Sequence, residues 1–185
     1  AGFWFIPNAT GSQPSIAVNS ADVVMVAWQD TYDPGDAYDI YFSQKNASGW
    51  SLPVWVDDDS IEADSVSCDL VVGPDDRGHI VWQEEGNSLQ HAYYCEQNAA
   101  MWWDIPVRLS AEGTNAQLPA IGVGALGDIQ VSWDEDVRAS YRRLPAASSE
   151  WTPITTISTY SGGISDVAIS ANGERESHVV WSQSV

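Results

Sequence analysis

Four tryptophans recur along this 185-residue chain at nearly one interval: Trp28, Trp82, Trp133 and Trp181 stand 54, 51 and 48 residues apart. Each closes a short apolar run: Val26-Ala27-Trp28, Ile80-Val81-Trp82, Val131-Ser132-Trp133 and Val179-Val180-Trp181. A period near 50 constrains the fold strongly, because a repeat of that size is one supersecondary unit that must stack on its neighbours to bury its apolar face. Ahead of each tryptophan comes an apolar pair with period two: Ile16 and Val18, Leu70 and Val72, Ile121 and Val123, and, shifted by two residues, Val167 and Ile169. Turn formers separate pair from tryptophan, as in Pro74-Asp75-Asp76 and Ala171-Asn172-Gly173. The pattern predicts four β-hairpins, with a longer turn in the last to absorb its shift.

A second marker interleaves with the first. Trp4, Trp50, Trp103 and Trp151 are each followed within two or three residues by proline: Pro7, Pro53, Pro106 and Pro153. Proline donates no hydrogen bond, so this segment reads as an outer, edge strand. Between the markers lies a tyrosine-bearing strand, around Tyr41, Tyr93 and Tyr141. Each unit is therefore four short strands, A to D, in about 50 residues, which is the signature of a β-propeller blade. The fold class is all-β, a propeller of four-stranded antiparallel blades. The divisions fall at 1–11 (a closing strand D), 12–60, 61–110, 111–158 and 159–185, the last a partial blade.

The tryptophan-rich repeats resemble the blades of secreted bacterial and archaeal propellers of the sialidase-like, Asp-box group. The motif of that group, Ser-x-Asp-x-Gly-x-x-Trp, has no match. The nearest stretch, Asp76-Arg77-Gly78-His79-Ile80-Val81-Trp82, has one residue too many and falls in the A–B hairpin. The resemblance implies the fold; without the motif it does not carry a sialidase activity.

The two ends differ in what they supply. Gly2 to Pro7 match strand D, whereas Ile164 to Gln183 match strands A and B. Three arrangements follow. The chain reads as a four-bladed ring whose last blade the N-terminal strand completes; the alternatives are that the chain is part of a larger ring or that the open edge recruits a strand from a neighbouring molecule.

Function is less legible. The chain carries 26 acids and 7 bases, a formal charge of −19, with Lys45 its single lysine. That excludes a nucleic-acid or anionic-membrane partner, both of which need clustered Lys and Arg, and no apolar run is long enough for a membrane span. An acidic, lysine-poor surface and two sequons, at Asn8 and Asn46, point to an extracellular glycoprotein. In an A-B-C-D meander the B–C and D–A loops share one face, and 14 of the 26 acids fall there. Among them Asp30, Asp33, Asp36, Asp134 and Asp136 are candidate ligands for a cation, with Ca²⁺ the ion that carboxylate oxygens suit, although a solvated acidic surface is the plainer reading. Trp55, Trp102 and Trp103 are candidate platforms for a sugar ring, Trp55 and Trp102 because they break the repeat. No Gly-x-Ser-x-Gly or His-Glu-x-x-His motif occurs, and the six arginines are dispersed. The chain reads as an extracellular binding or self-assembling module with no catalytic residues assigned. The alternatives are a lectin-like glycan binder or a glycoside hydrolase. Cys68 and Cys95, in strands A and C of one blade, are placed too far apart to pair.

Overall fold

The computed structural model describes residues 11–31, 36–57, 63–86, 88–159, 162–172 and 176–184. They form four antiparallel sheets and no helix. The first contains β1 (Ser12–Val18), β2 (Val24–Asp30), β3 (Asp39–Asn46), β4 (Gly49–Trp50) and β5 (Val54–Trp55), with β4 and β5 both pairing with β3. The second runs β6 (Asp64–Val72), β7 (Gly78–Glu85), β8 (Gln90–Glu96) and β9 (Val107–Arg108). The third runs β10 (Ala116–Val123), β11 (Ile129–Glu135), β12 (Arg138–Leu144) and β13 (Thr155–Thr156). The fourth is the hairpin β14 (Ile164–Ala171) and β15 (Ser177–Gln183). These are four blades of a β-propeller. The outer strand resumes just beyond Pro53, Pro106 and Pro153 and is only two residues long in each case, as a residue without an N–H dictates.

All four A–B turns are closed by the same backbone hydrogen bond. Asn19, Gly73, Gly124 and Asn172 each donate a backbone N–H to the carbonyl four residues on. In the first three, Asp22, Asp76 and Gly127 take the left-handed conformation that closes such a turn. The fourth turn is therefore not longer, and the two-residue shift has another cause. Ile16, Leu70, Ile121 and Ile169 all pair with the residue two before the tryptophan, so Ile169 is the counterpart of Ile16. Val167 lies opposite Trp181 itself because the β-bulge differs. In blades 1 to 3 two residues bulge opposite the tryptophan, with Gln13, Ser67 and Leu118 at positive φ. In blade 4 only Ser165 is extra.

The core lies in the seams between blades. Met25, Ala27, Ile40 and Phe42 on the back of blade 1 pack on Leu70, Ile80 and Trp82 on the front of blade 2. Val81, Ala92 and Tyr94 pack likewise on Ile121, Val131 and Trp133, and Ala120 and Ala139 on Ile164 and Val167. Two contacts repeat from seam to seam. The residue after the tryptophan reaches into the next blade and accepts the N–H of its bulge: Gln29 from Ser67 at 3.0 Å and Gln83 from Leu118 at 3.1 Å. The outer tryptophan of one blade meets the C-strand aromatic of the blade before it edge-on: Trp103 on Phe42 and Trp151 on Tyr94, each at 5.0 Å and 78°. Tyr141 departs from Tyr41 and Tyr93. Those two stack on their own blade's tryptophan, whereas Tyr141 pairs one residue earlier, with Ser132, and so faces the other side of the sheet.

Among the described residues, no such seam joins blade 4 to blade 1, and the segment Gly2 to Pro7 lies outside them. The two cysteines are buried free thiols. Cys68 donates to Gln13 O and Cys95 to Asp104 O. Burial pushes both thiols up to about 12, so neither forms the reactive thiolate at pH 8. Iodoacetamide is expected to leave both unlabelled in the native protein and to label both in denaturant, which intact mass spectrometry reads directly.

Candidate functional site

The acidic face is built for holding loops. Asp30 accepts from the Trp28 indole and from Thr31 N–H, Asp64 from Tyr38 N–H, Asp136 from Asn115 N–H, and Glu135 from Ala111 N–H and the Thr114 hydroxyl. Short carboxylate side chains thus satisfy loop amides that no strand partner reaches. Asp36 is exposed, Asp134 is buried in the third blade, and Asp33 lies outside the described residues. Among the described residues no three acidic, histidine or cysteine side chains come together as a metal site.

The three candidate tryptophans separate. Trp103 is half-buried and belongs to the seam between blades 1 and 2. Trp55 is exposed on the outer strand of blade 1, edge-on to Tyr41 at 6.3 Å. Trp102 is the most open, at 71%, and its turn is fixed: the Asn98 side chain accepts the Ala100 and Trp102 N–H groups. Asn46 is exposed at the end of β3, where it accepts Ser48 N–H, and Asn8 lies outside the described residues.

The chemistry gathers on the opposite face, between blades 2 and 3, in a cleft of about 310 Å³. One wall is polar: Asp75, Arg77, His79 and Glu96. The other is largely apolar: Leu126, Ile129, Leu144 and Pro145. Arg77 donates from Nε to Asp75 and from a terminal nitrogen to Gln97 O. Partial burial works against ionised Asp75, but the Arg77 hydrogen bonds and charge outweigh it and hold the carboxyl below its ordinary range. Behind this pair, His79 Nδ1 lies 2.8 Å from the Tyr94 hydroxyl, which donates to Glu96 at 3.1 Å. That order places the imidazole proton on Nδ1 and leaves Nε2 an acceptor toward Gly73. A Cβ at Gly73 would fall 2.6 Å from Asp75 Oδ1 and 2.9 Å from His79 Nε2, so a side chain there would displace both from the wall of the cleft. Burial lowers His79 to about 4, and burial with the Glu96 charge raises Tyr94. At neutral pH both are uncharged. Glu96 also lines a second hollow of about 360 Å³ with Tyr94, Asp104, Ile105 and Val107, on the hairpin that carries Trp102.

His79 stands three residues before Trp82 as His178 stands three before Trp181, so by spacing alone it is a framework residue of the repeat. The missing signal was pairing. His79 sits opposite Glu96, which makes Tyr94 its diagonal neighbour on the same face of the sheet.

No family model matches the chain, and no curated protein does. Among solved structures, an ulvan lyase of polysaccharide lyase family PL25 superposes with a TM-score of 0.65 at 10% identity, over 88% of this chain and 47% of its own. The leech intramolecular trans-sialidase gives 0.61 at 10%, over 91% and 47%. The α-L-arabinanase of Penicillium chrysogenum gives 0.59 at 11%, over 85% and 54%. The chain spans about half the length of these proteins. At such identities the likeness is one of fold, and it establishes a β-propeller architecture for the chain.

Proposed function

We propose that this chain is an extracellular carbohydrate-recognising propeller module that binds its ligand without transforming it, through the cleft between blades 2 and 3. The observation that carries this reading is the pairing of a polar wall, Asp75, Arg77, His79 and Glu96, with an apolar one across about 310 Å³, the form a sugar ring with polar edges and an apolar face requires. The solved structures support the ligand class: one is an ulvan lyase bound to a -[GlcA(1-4)Rha3S]- saccharide and another an arabinanase complexed with arabinobiose. Binding is favoured over catalysis by the state of the polar groups. A general base is most effective with a pKa near the working pH, whereas burial holds His79 at about 4 and keeps Tyr94 protonated. The net charge of −19 favours neutral glycans over sulfated or carboxylated ones.

Calorimetric titration with a panel of neutral oligosaccharides, arabinobiose included, and with a sulfated uronate oligosaccharide tests this. Neutral sugars are expected to bind and the sulfated one to fail at low salt. Leu126→Ala and Arg77→Gln, one on each wall of the cleft, are each expected to weaken binding about tenfold. Absence of neutral-sugar binding, or binding indifferent to both substitutions, overturns the reading.

A further inference from the structure

The polar wall of the cleft between blades 2 and 3 is rich in acceptors and short of free donors. Arg77 spends its Nε on Asp75 Oδ2 and a terminal nitrogen on Gln97 O. Asp75 Oδ1 receives only the Arg77 backbone N–H, loosely, at 3.3 Å. Tyr94 gives its hydroxyl proton to Glu96 and takes one from His79 Nδ1. His79 is 4% exposed, and its Nε2 has no hydrogen-bond partner among the described residues. Because Gly73 has no side chain, His79 Nε2 and Asp75 Oδ1 look onto one open space: a Cβ there would lie 2.9 Å from the first and 2.6 Å from the second. Acceptors set that closely are within reach of a single donor group between them. A hydroxyl has one proton and satisfies one of them, whereas an ammonium has three and satisfies both. Charge points the same way. Among the residues lining the cleft Arg77 is the one permanent cation, against the two carboxylates of Asp75 and Glu96, and burial keeps His79 neutral at pH 7. Arg142, in the same seam, is turned to the Thr152 and Leu109 carbonyls. The wall thus holds one carboxylate more than it has cations.

From this we infer that the cleft selects an amino sugar, whose free amine seats as an ammonium between Asp75 Oδ1 and His79 Nε2 while an apolar ring face lies on Leu126, Ile129 and Leu144. The assignment rests on the carbohydrate reading of the cleft and narrows it to a cationic member of that class. Arg77 holds the second oxygen of Asp75 and so leaves Oδ1 for the ligand. Glu96, with Tyr94 behind it, supplies the excess negative charge. A hydroxyl in place of the amine carries one proton and no charge, and an N-acetyl group likewise offers a single N–H. Either one leaves a buried acceptor unmet, which costs more than the lost bond alone. Hydrogen bonds from a charged donor are also the stronger ones.

The test is calorimetric titration at pH 6, where an amine titrating near about 8 is charged and His79 is still neutral. Three β-1,4-linked disaccharides that differ only at C2 are compared: those of glucosamine, glucose and N-acetylglucosamine. The glucosamine disaccharide is expected to bind about tenfold or more tightly than either of the others. Gly73→Ala fills the seat of the amine, and Glu96→Gln removes the excess charge. Each is expected to bring the ratio of amine to hydroxyl affinity close to one, a ratio taken within one variant and so insensitive to a general loss of binding. Gly73 is not in the left-handed region, so circular dichroism should show the alanine variant folded. Lysine capped at both ends probes charge without a ring and is expected to bind at least about tenfold more weakly than the glucosamine disaccharide. A glucose or N-acetylglucosamine disaccharide bound as tightly as the amine overturns this assignment and leaves the carbohydrate reading standing. Absence of binding by all three sugars overturns both. A preference for the amine that survives either substitution overturns the assignment by placing the amine elsewhere. So does capped lysine that binds as tightly as the amino sugar, since the ring would then have no role.

Discussion

Trp82→Ala is expected to lower the unfolding free energy by about 3–5 kcal/mol, against less than about 1 kcal/mol for the chemically identical change at Trp102. The indole of Trp82 is fully buried in the seam between blades 1 and 2, in one cluster with Ile40, Phe42, Leu70 and Ile80, and it stacks on Tyr93 at 5.9 Å. Truncation opens a large void where the bulge of β6 already departs from regular pairing, so little can collapse into it. Trp102 is 71% exposed and fills nothing. In a chain of this size the expected loss lowers Tm by about 10 °C. Trp82→Phe is expected to recover most of it, because the Trp82 indole N–H is buried without a hydrogen-bond partner and phenylalanine leaves no donor unmet. Thermal and urea unfolding followed by circular dichroism measures all three. Equal losses at Trp82 and Trp102 would show that the seams are not where stability resides.

That contrast also marks what the sequence made legible. The blade fold was readable because a buried seam forces the same residue into the same place four times, so Trp28, Trp82, Trp133 and Trp181 announce themselves by spacing alone. Trp55 and Trp102 fall outside that spacing, and the fold leaves both exposed. The fourth hairpin was misread because spacing counts residues and register counts pairs. One bulge residue fewer at Ser165 mimics a longer turn. The cleft was invisible for a deeper reason. Arg77, His79, Tyr94 and Glu96 meet through cross-strand pairing and a turn from the next blade, relations with no fixed sequence separation. The acidic residues pointed to a cation because their number was visible and their partners were not. Asp30, Asp64, Glu135 and Asp136 hold loop hydrogen bonds that only the folded chain supplies.

Asp57→Asn is expected to stabilise the protein by about 2–4 kcal/mol at pH 7 and by little at pH 4. Asp57 follows β5 and is only 4% exposed. Its Oδ1 accepts the Ile40 N–H at 2.8 Å, while Oδ2 is buried with the Ser65 hydroxyl near the carboxyl but outside hydrogen-bond geometry. Burial pushes this carboxyl up to about 8, the charge of Asp39 adds to the rise, and the Ser65 hydroxyl and Ile40 amide oppose it. In the unfolded chain the same group titrates near 3.8. The folded state therefore holds a proton that the unfolded state gives up, and stability falls as pH rises from about 4 to about 8, opposite to the behaviour of an ion-paired carboxylate. Asp134, buried and raised to about 6, acts in the same direction over the lower part of that window. Asparagine keeps the acceptor for Ile40 and removes the titration, so the difference in unfolding free energy between variant and wild type isolates this one site from the repulsion among the other acids. The difference should grow steadily from pH 4 to pH 8. A constant difference, or a variant less stable than wild type at pH 7, would mean that Asp57 is ionised in the fold and that its second oxygen finds a partner.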